Sequence, residues 1–156
     1  MANKKPFGIV DAILVVVILG LTYVLFRVIN DPGQQLAFEE NMKWESRARM
    51  SALRTAENEY YGMKKTYTGN IDSLLTFVQD SVPAARVDSL FLNTKLYLTK
   101  FSFDSIRTTP KSGTPFIIAV DDTSQVHRYR IEDPDGFGYI GSLNDPDEHN
   151  KASWEQ

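Results

Sequence analysis

Enzymatic chemistry starts from nucleophiles, titratable side chains and metal ligands, and this chain arranges few of them usefully. It has no cysteine and only two histidines, His127 and His149. Without cysteine there is no thiolate nucleophile, no disulfide and no Cys-based metal site, and the redox compartment stays open. His127 lies in the alternating run QVHRYRI, where a histidine packs or faces solvent. The serines form no G-x-S-x-G elbow and no S-x-x-K pair, and no P-loop, G-x-G-x-x-G or H-E-x-x-H occurs. The adjacent carboxylates Glu39-Glu40 and Asp121-Asp122 stand in helix-like and turn contexts that leave them in water. The expectation is a non-enzymatic protein with no small-molecule substrate.

One constellation is site-like. Asp133, Asp135, Asn144, Asp145, Asp147 and Glu148 place hard oxygen donors in a Gly-rich loop, the donor type that calcium takes. The EF-hand order is absent, because Gly136 follows Asp135 directly and Asp133 is only the second acid. A solvated loop is the plainer reading; calcium is the one metal these residues could hold, and no other cofactor is expected.

The elements that would position any site begin with a hydrophobic run, IVDAILVVVILGLTYVLFRVI, from Ile9 to Ile29. As a helix it measures about 31 Å, which matches the hydrocarbon core of a bilayer. It is too long for a signal-peptide core, and no small-x-small cleavage site follows at Phe26–Ile29, so it reads as a retained anchor. Lys4 and Lys5 precede it and Arg27 ends it, a basic bias toward a cytoplasmic amino end. Asp11 lies one turn inside, where a carboxylate needs headgroups, the positive helix end or another membrane protein. Arg27 can snorkel to the far headgroups.

Asp31-Pro32-Gly33 then predicts the end of the membrane helix, since the residue before proline is biased away from helical geometry. From Gln34 to about Tyr67 the composition again favours helix, and Leu53, Ala56, Tyr60, Met63 and Tyr67 form one amphipathic stripe. Before Met50 no clean stripe runs, and residues 30–50 read as a linker or solvated stalk. Phe38, Met42 and Trp44 on that stalk, with Asp11 in the membrane, are the candidate contacts for partner proteins. Thr68-Gly69-Asn70 supplies turn chemistry, Asn70 or Asp72 can cap the short run IDSLLTFV, and Pro83 stops it. After residue 86 the pattern turns to strand, in KLYLTKFSF (95–103), TPFIIAV (114–120) and QVHRYRI (125–131), with Asp121–Ser124 as a hairpin turn. FGYIG can pair at a sheet edge, and Trp154 can either fold back or sit in an exposed tail. The fold class is α+β: an N-terminal transmembrane helix, then a long amphipathic helix and a short helix packed on a small antiparallel sheet. The net charge of -3 over 156 residues supplies no basic field for nucleic acid, which leaves lipid and proteins as the expected partners.

Leu53, Ala56 and Tyr60, then Tyr67, then Leu74 with Leu75 or Val78, resemble the L-x-x-A-x-x-x-Y, Tyr-loop and L-x-x-L order of type IV pilins and type II secretion pseudopilins. The chain also resembles a group of membrane-anchored proteins of Bacteroidota, to which no activity is attached, through its terminal GSLNDPDEHNKASWE. The resemblance implies a pilin-like domain, and major pseudopilins bind calcium near their carboxyl end. A prepilin carries Glu at the fifth position after its cleaved Gly, whereas Phe7-Gly8-Ile9-Val10-Asp11 has its acid at the third. The organisation expected is a cytoplasmic segment 1–8, a membrane helix 9–29, a linker or stalk 30–50, a pilin-like domain 51–141 and a C-terminal loop or tail 142–156. The function expected is a single-pass bacterial inner-membrane protein with a periplasmic domain, serving as a structural or interaction component of an envelope or secretion-type assembly. Its alternatives are a processed pilin or pseudopilin filament subunit, and a tethered calcium- or wall-binding module.

Overall fold

Helix α1 runs from Ile9 to Lys64. The computed structural model describes residues 8–92, 96 and 98–155, without the side chains of residues 30–34 and 92. The expected cytoplasmic segment therefore lies, but for Gly8, outside the described residues. The chain divides into two units, Met1–Glu40 and Asn41–Gln156.

In the first unit, Ile9–Ile29 is long and apolar enough to cross a membrane, and none of it is buried within the protein. The expected helix end at Asp31-Pro32-Gly33 is corrected, because helical backbone continues through those positions. Proline biases the residue before it away from helix without forbidding helix, and the run that follows, from Gln34, is rich in good helix formers.

The second unit is α+β. Its share of α1 ends at Lys64, short of the expected Tyr67. The Lys65 amide donates to the Tyr61 carbonyl at 2.9 Å, and Lys65 itself sits at φ 61°, a left-handed conformation that usually calls for glycine. Helix α2 (Ile71–Ser81) is capped by Asn70, whose side chain accepts the Ser73 amide. Pro83 follows its end, and a single turn, α3 (Ala84–Val87), leads into a π-helical turn, Asp88–Leu92. The sheet is an antiparallel meander of β1 (Ile117–Asp121), β2 (Arg128–Glu132) and β3 (Tyr139–Ile140) in sequential order. Ile118 and Val120 of β1 face Ile131 and Tyr129 of β2, and Ile131 also faces Ile140 of β3. The hairpin turn after β1 closes as its residues predict: Asp121 accepts the Thr123 amide and hydroxyl and the Ser124 hydroxyl.

The run 95–103 is not the strand expected of it, so far as it is described. Residues 98–103 form no strand, with a bend at 98–99 and a turn from Phe103, while Lys95 and Tyr97 lie outside the described residues. Alternation was satisfied another way: Phe101 and Phe103 both pack on buried Phe91, at 6.0 and 5.9 Å between ring centroids. The core unites Met50, Leu53 and Ala56 of α1, Leu74, Leu75 and Val78 of α2, Phe91, Ile106, and Tyr129, Ile131 and Ile140 of the sheet.

Two boundaries move. The stalk 30–50 is corrected at its distal end, where Glu45, Ser46, Arg49 and Met50 are buried in the second unit. The loop or tail 142–156 joins that unit as well. Ala152 bridges Ile140, the Ser153 amide donates to the Tyr139 carbonyl, and Trp154 packs against the core. Met63 leaves the expected stripe and stands 54% exposed, because the buried face of α1 lies one to two turns earlier.

Candidate functional site

The buried face of α1 is partly polar, and its polar residues mark the places where the chain could do more than pack. Glu45, Ser46, Arg49 and Glu57 recur at helical spacing alongside Met50, Leu53 and Ala56, and all are buried. Between them they reach three segments of the second unit, Glu45 and Arg49 sharing one.

Glu45 and Arg49, one turn apart, form an ion pair at 3.0 Å. Glu45 Oε1 also accepts the Arg49 Nε at 3.2 Å and the Thr99 hydroxyl at 2.8 Å, while its Oε2 accepts the Leu98 amide at 2.9 Å. Arg49 Nη1 donates to the Thr108 carbonyl at 2.8 Å. Both charges are thus spent on holding the irregular segment around residues 98–108 against the helix.

The next site joins Ser46 to the first acidic loop. The Ser46 hydroxyl donates to Asp133 Oδ2, and Asp133 Oδ1 accepts the Asp135 amide at 2.6 Å. Burial pushes the Asp133 carboxyl up, against the Ser46 hydrogen bond that favours its charge. Asp135 accepts the Ser112 amide and hydroxyl at 3.1 Å, and hydrogen bonds from Thr109 and Ser112 hold its carboxyl below the usual range.

Of the six residues expected as calcium ligands, Asp133 and Asp135 come together in this loop. Asn144, Asp145, Asp147 and Glu148 belong to a separate turn, in which Asp145 caps the short 3-10 helix Pro146–Glu148 by accepting the Asp147 amide. Among the described residues no group of three or more Asp, Glu or His side chains converges as a metal cage would. His149 Nδ1 lies 2.8 Å from the Pro146 carbonyl oxygen in that same turn.

Glu57 is the least satisfied of the buried groups. Its Oε2 accepts the Thr68 amide at 3.1 Å, whereas Oε1 has no hydrogen-bond partner among the described residues. Desolvation pushes its carboxyl up to about 7, against the lowering effect of the Thr68 amide. Around it runs a ladder of rings: Tyr61 stacks on Tyr67 at 4.6 Å, Tyr67 tilts against Tyr129 at 4.6 Å, and His127 meets the edge of Tyr61 at 6.4 Å. Buried Nδ1 of His127 also lacks a partner. Tyr129, fully buried, donates its hydroxyl to Asn150 Oδ1 at 2.5 Å, and burial raises its phenol strongly.

The partner-contact candidates divide between the units. In the first, Asp11 Oδ2 accepts the Gly8 amide at 2.9 Å, so this carboxylate caps the helix that contains it, and Phe38 stands 55% exposed. In the second, Met42 is half-buried, and Trp44, 41% exposed, lies 5.5 Å from the Arg47 guanidinium. The same guanidinium covers Trp154 at 4.9 Å, and Arg47 Nε donates to the Phe137 carbonyl. Trp44 therefore borders a packed cation–π cluster rather than standing alone on a stalk.

Sequence reasoning missed Glu45, Arg49 and Glu57. The signal available was their helical register with Met50, Leu53 and Ala56, which a search for apolar stripes discards because it scores charged residues as solvent-facing. No protein family, curated protein or solved structure matches the chain.

Proposed function

We propose that this chain is a single-pass inner-membrane protein that presents a small, pilin-like α+β unit on the periplasmic side as a non-enzymatic structural or interaction component of an envelope or secretion-type assembly. The observation that carries the reading is Ile9–Ile29, a helix long and apolar enough to span a bilayer and with none of its surface buried by the rest of the protein. That surface calls for lipid or another membrane protein. The polar groups of the second unit support the rest, since Glu45, Arg49, Ser46, Asp133 and Asp135 bond to one another or to nearby backbone and loops. The orientation rests on Lys4 and Lys5 before the span.

The absence of cysteine makes the test direct. Single cysteines are placed at Asn3 and Lys151, and a membrane-impermeant maleimide is applied to spheroplasts. Labelling of Lys151→Cys in intact spheroplasts, with Asn3→Cys labelled only after permeabilisation, is the expected pattern; the reverse refutes the orientation. Extraction of the protein by alkaline carbonate would refute the anchor. A photo-crosslinker at Phe38 or Trp44 should yield adducts with neighbouring envelope proteins, and a chain that crosslinks to nothing and migrates alone after mild extraction has no assembly role.

A further inference from the structure

The link between α1 and α2 closes over one buried carboxyl. Glu57 is wholly inaccessible, and among the described residues it accepts a hydrogen bond only from the Thr68 amide inside that link, its second oxygen accepting none. The rest of the link is held by buried Tyr67 and by the Asn70 amide on Thr68 Oγ1. Lys65 adopts a left-handed backbone that lysine rarely takes, and Tyr67 inserts between Tyr61 and Tyr129. Among the described residues no cation pairs with Glu57. The titratable groups facing this region are Tyr61 from α1, Tyr67 from the link and Tyr129 from β2, with His127 beside Tyr61. Arg54 acts on Tyr129 and is itself held by Glu155 at 3.1 Å. Among the described residues one amide is all that hydrogen-bonds Glu57.

We propose that residues 65–70 form a pH-gated latch, closed over the Tyr61–Tyr67–Tyr129 ladder while Glu57 is protonated and released when Glu57 ionises. A buried carboxylate without a counter-ion is costly, and the same carboxylate in water is not, so ionisation favours whatever state uncovers it. Opening the link uncovers it most directly, because Thr68 and Tyr67 lie in the link. The closed state titrates near 7 and the ordinary value is 4.5. Between those values the closed state holds more protons than the open one, so closure is strongest at low pH and is lost as pH rises through that window.

Amide hydrogen exchange on the full-length protein in detergent micelles tests this, with rates normalised to the intrinsic rate at each pH. Protection of the Thr68 amide should fall roughly 70-fold between pH 5 and pH 8 in the wild type. In Glu57→Gln, whose amide cannot ionise, it should stay constant within about threefold. The Thr68 amide should also be less protected than the amides of β2 at every pH, which distinguishes local release from global unfolding. Equal protection of Thr68 and β2 would overturn the latch, as would a wild-type profile that is flat or matches Glu57→Gln. The wild-type profile decides the matter by itself if Glu57→Gln fails to fold.

Discussion

Replacing Glu45 by alanine removes the acceptor of three groups and strands one buried charge. Arg49, only 6% exposed, keeps its charge with no carboxylate beside it, and the Leu98 amide and Thr99 hydroxyl lose their acceptor. Breaking one member of a buried ion pair costs about 3–5 kcal/mol, mostly for the charge left behind. Leu98 and Thr99 are exposed, so water can replace their lost acceptor and the cost is that of the stranded Arg49 charge. Thermal unfolding of the full-length protein in detergent, followed by far-UV circular dichroism, should show a midpoint lowered by roughly 10 °C or more. Replacing both partners, Glu45→Leu with Arg49→Met, removes the stranded charge. That double variant should be markedly more stable than Glu45→Ala, and the cycle through Glu45→Ala, Arg49→Ala and their combination should be strongly non-additive. A Glu45→Ala variant within about 1 kcal/mol of wild type, or singles that simply add, would refute the claim that this pair holds segment 98–108 to α1.

Leu53→Ala opens a cavity where α1 meets the core at a position with no exposure, and chemical denaturation should record a loss of about 2–5 kcal/mol. Gly141→Ala should destabilise by more than about 1 kcal/mol, because Gly141 sits at φ +82° and an added Cβ would press on the Tyr129 backbone and lie 2.9 Å from the His149 carbonyl oxygen. The readout for that variant is the accessibility of Trp154 to a fluorescence quencher, which should rise as the 151–155 segment detaches from β3. Millimolar calcium should leave the unfolding midpoint unchanged, since both Asp133 oxygens already accept internal hydrogen bonds. A midpoint that rises with calcium in the wild type and not in Asp133→Asn would restore the acidic loop as a metal site.

Much of the local structure was legible because it depends on near neighbours. The Asn70 cap, the α2 run, the Asp121–Ser124 turn and the strands read in TPFIIAV and QVHRYRI each follow from rules that act over a few residues, and each appears. The same rules misplaced the 95–103 strand and the helix end at Asp31-Pro32-Gly33. Alternation in KLYLTKFSF suits a strand, yet pairing requires a free edge, and Phe101 and Phe103 bury themselves against Phe91 without one. Pro32 argued for an end, yet the helix continues through it into a run of strong helix formers.

What the sequence determined by itself is the bilayer-length apolar helix, the α+β class and the lack of any motif for catalysis, because composition and periodicity carry these without reference to distant residues. What only the tertiary structure decided is which charges are inside. Glu45 and Arg49 read as surface residues of a stalk until segment 98–108 covers them. Glu57 reads as an ordinary solvated glutamate until the ring ladder and the 65–70 link close over it. Burial and partners belong to residues tens of positions away, and they turn a charge that one-dimensional pattern assigns to water into one that must find its partner within the fold.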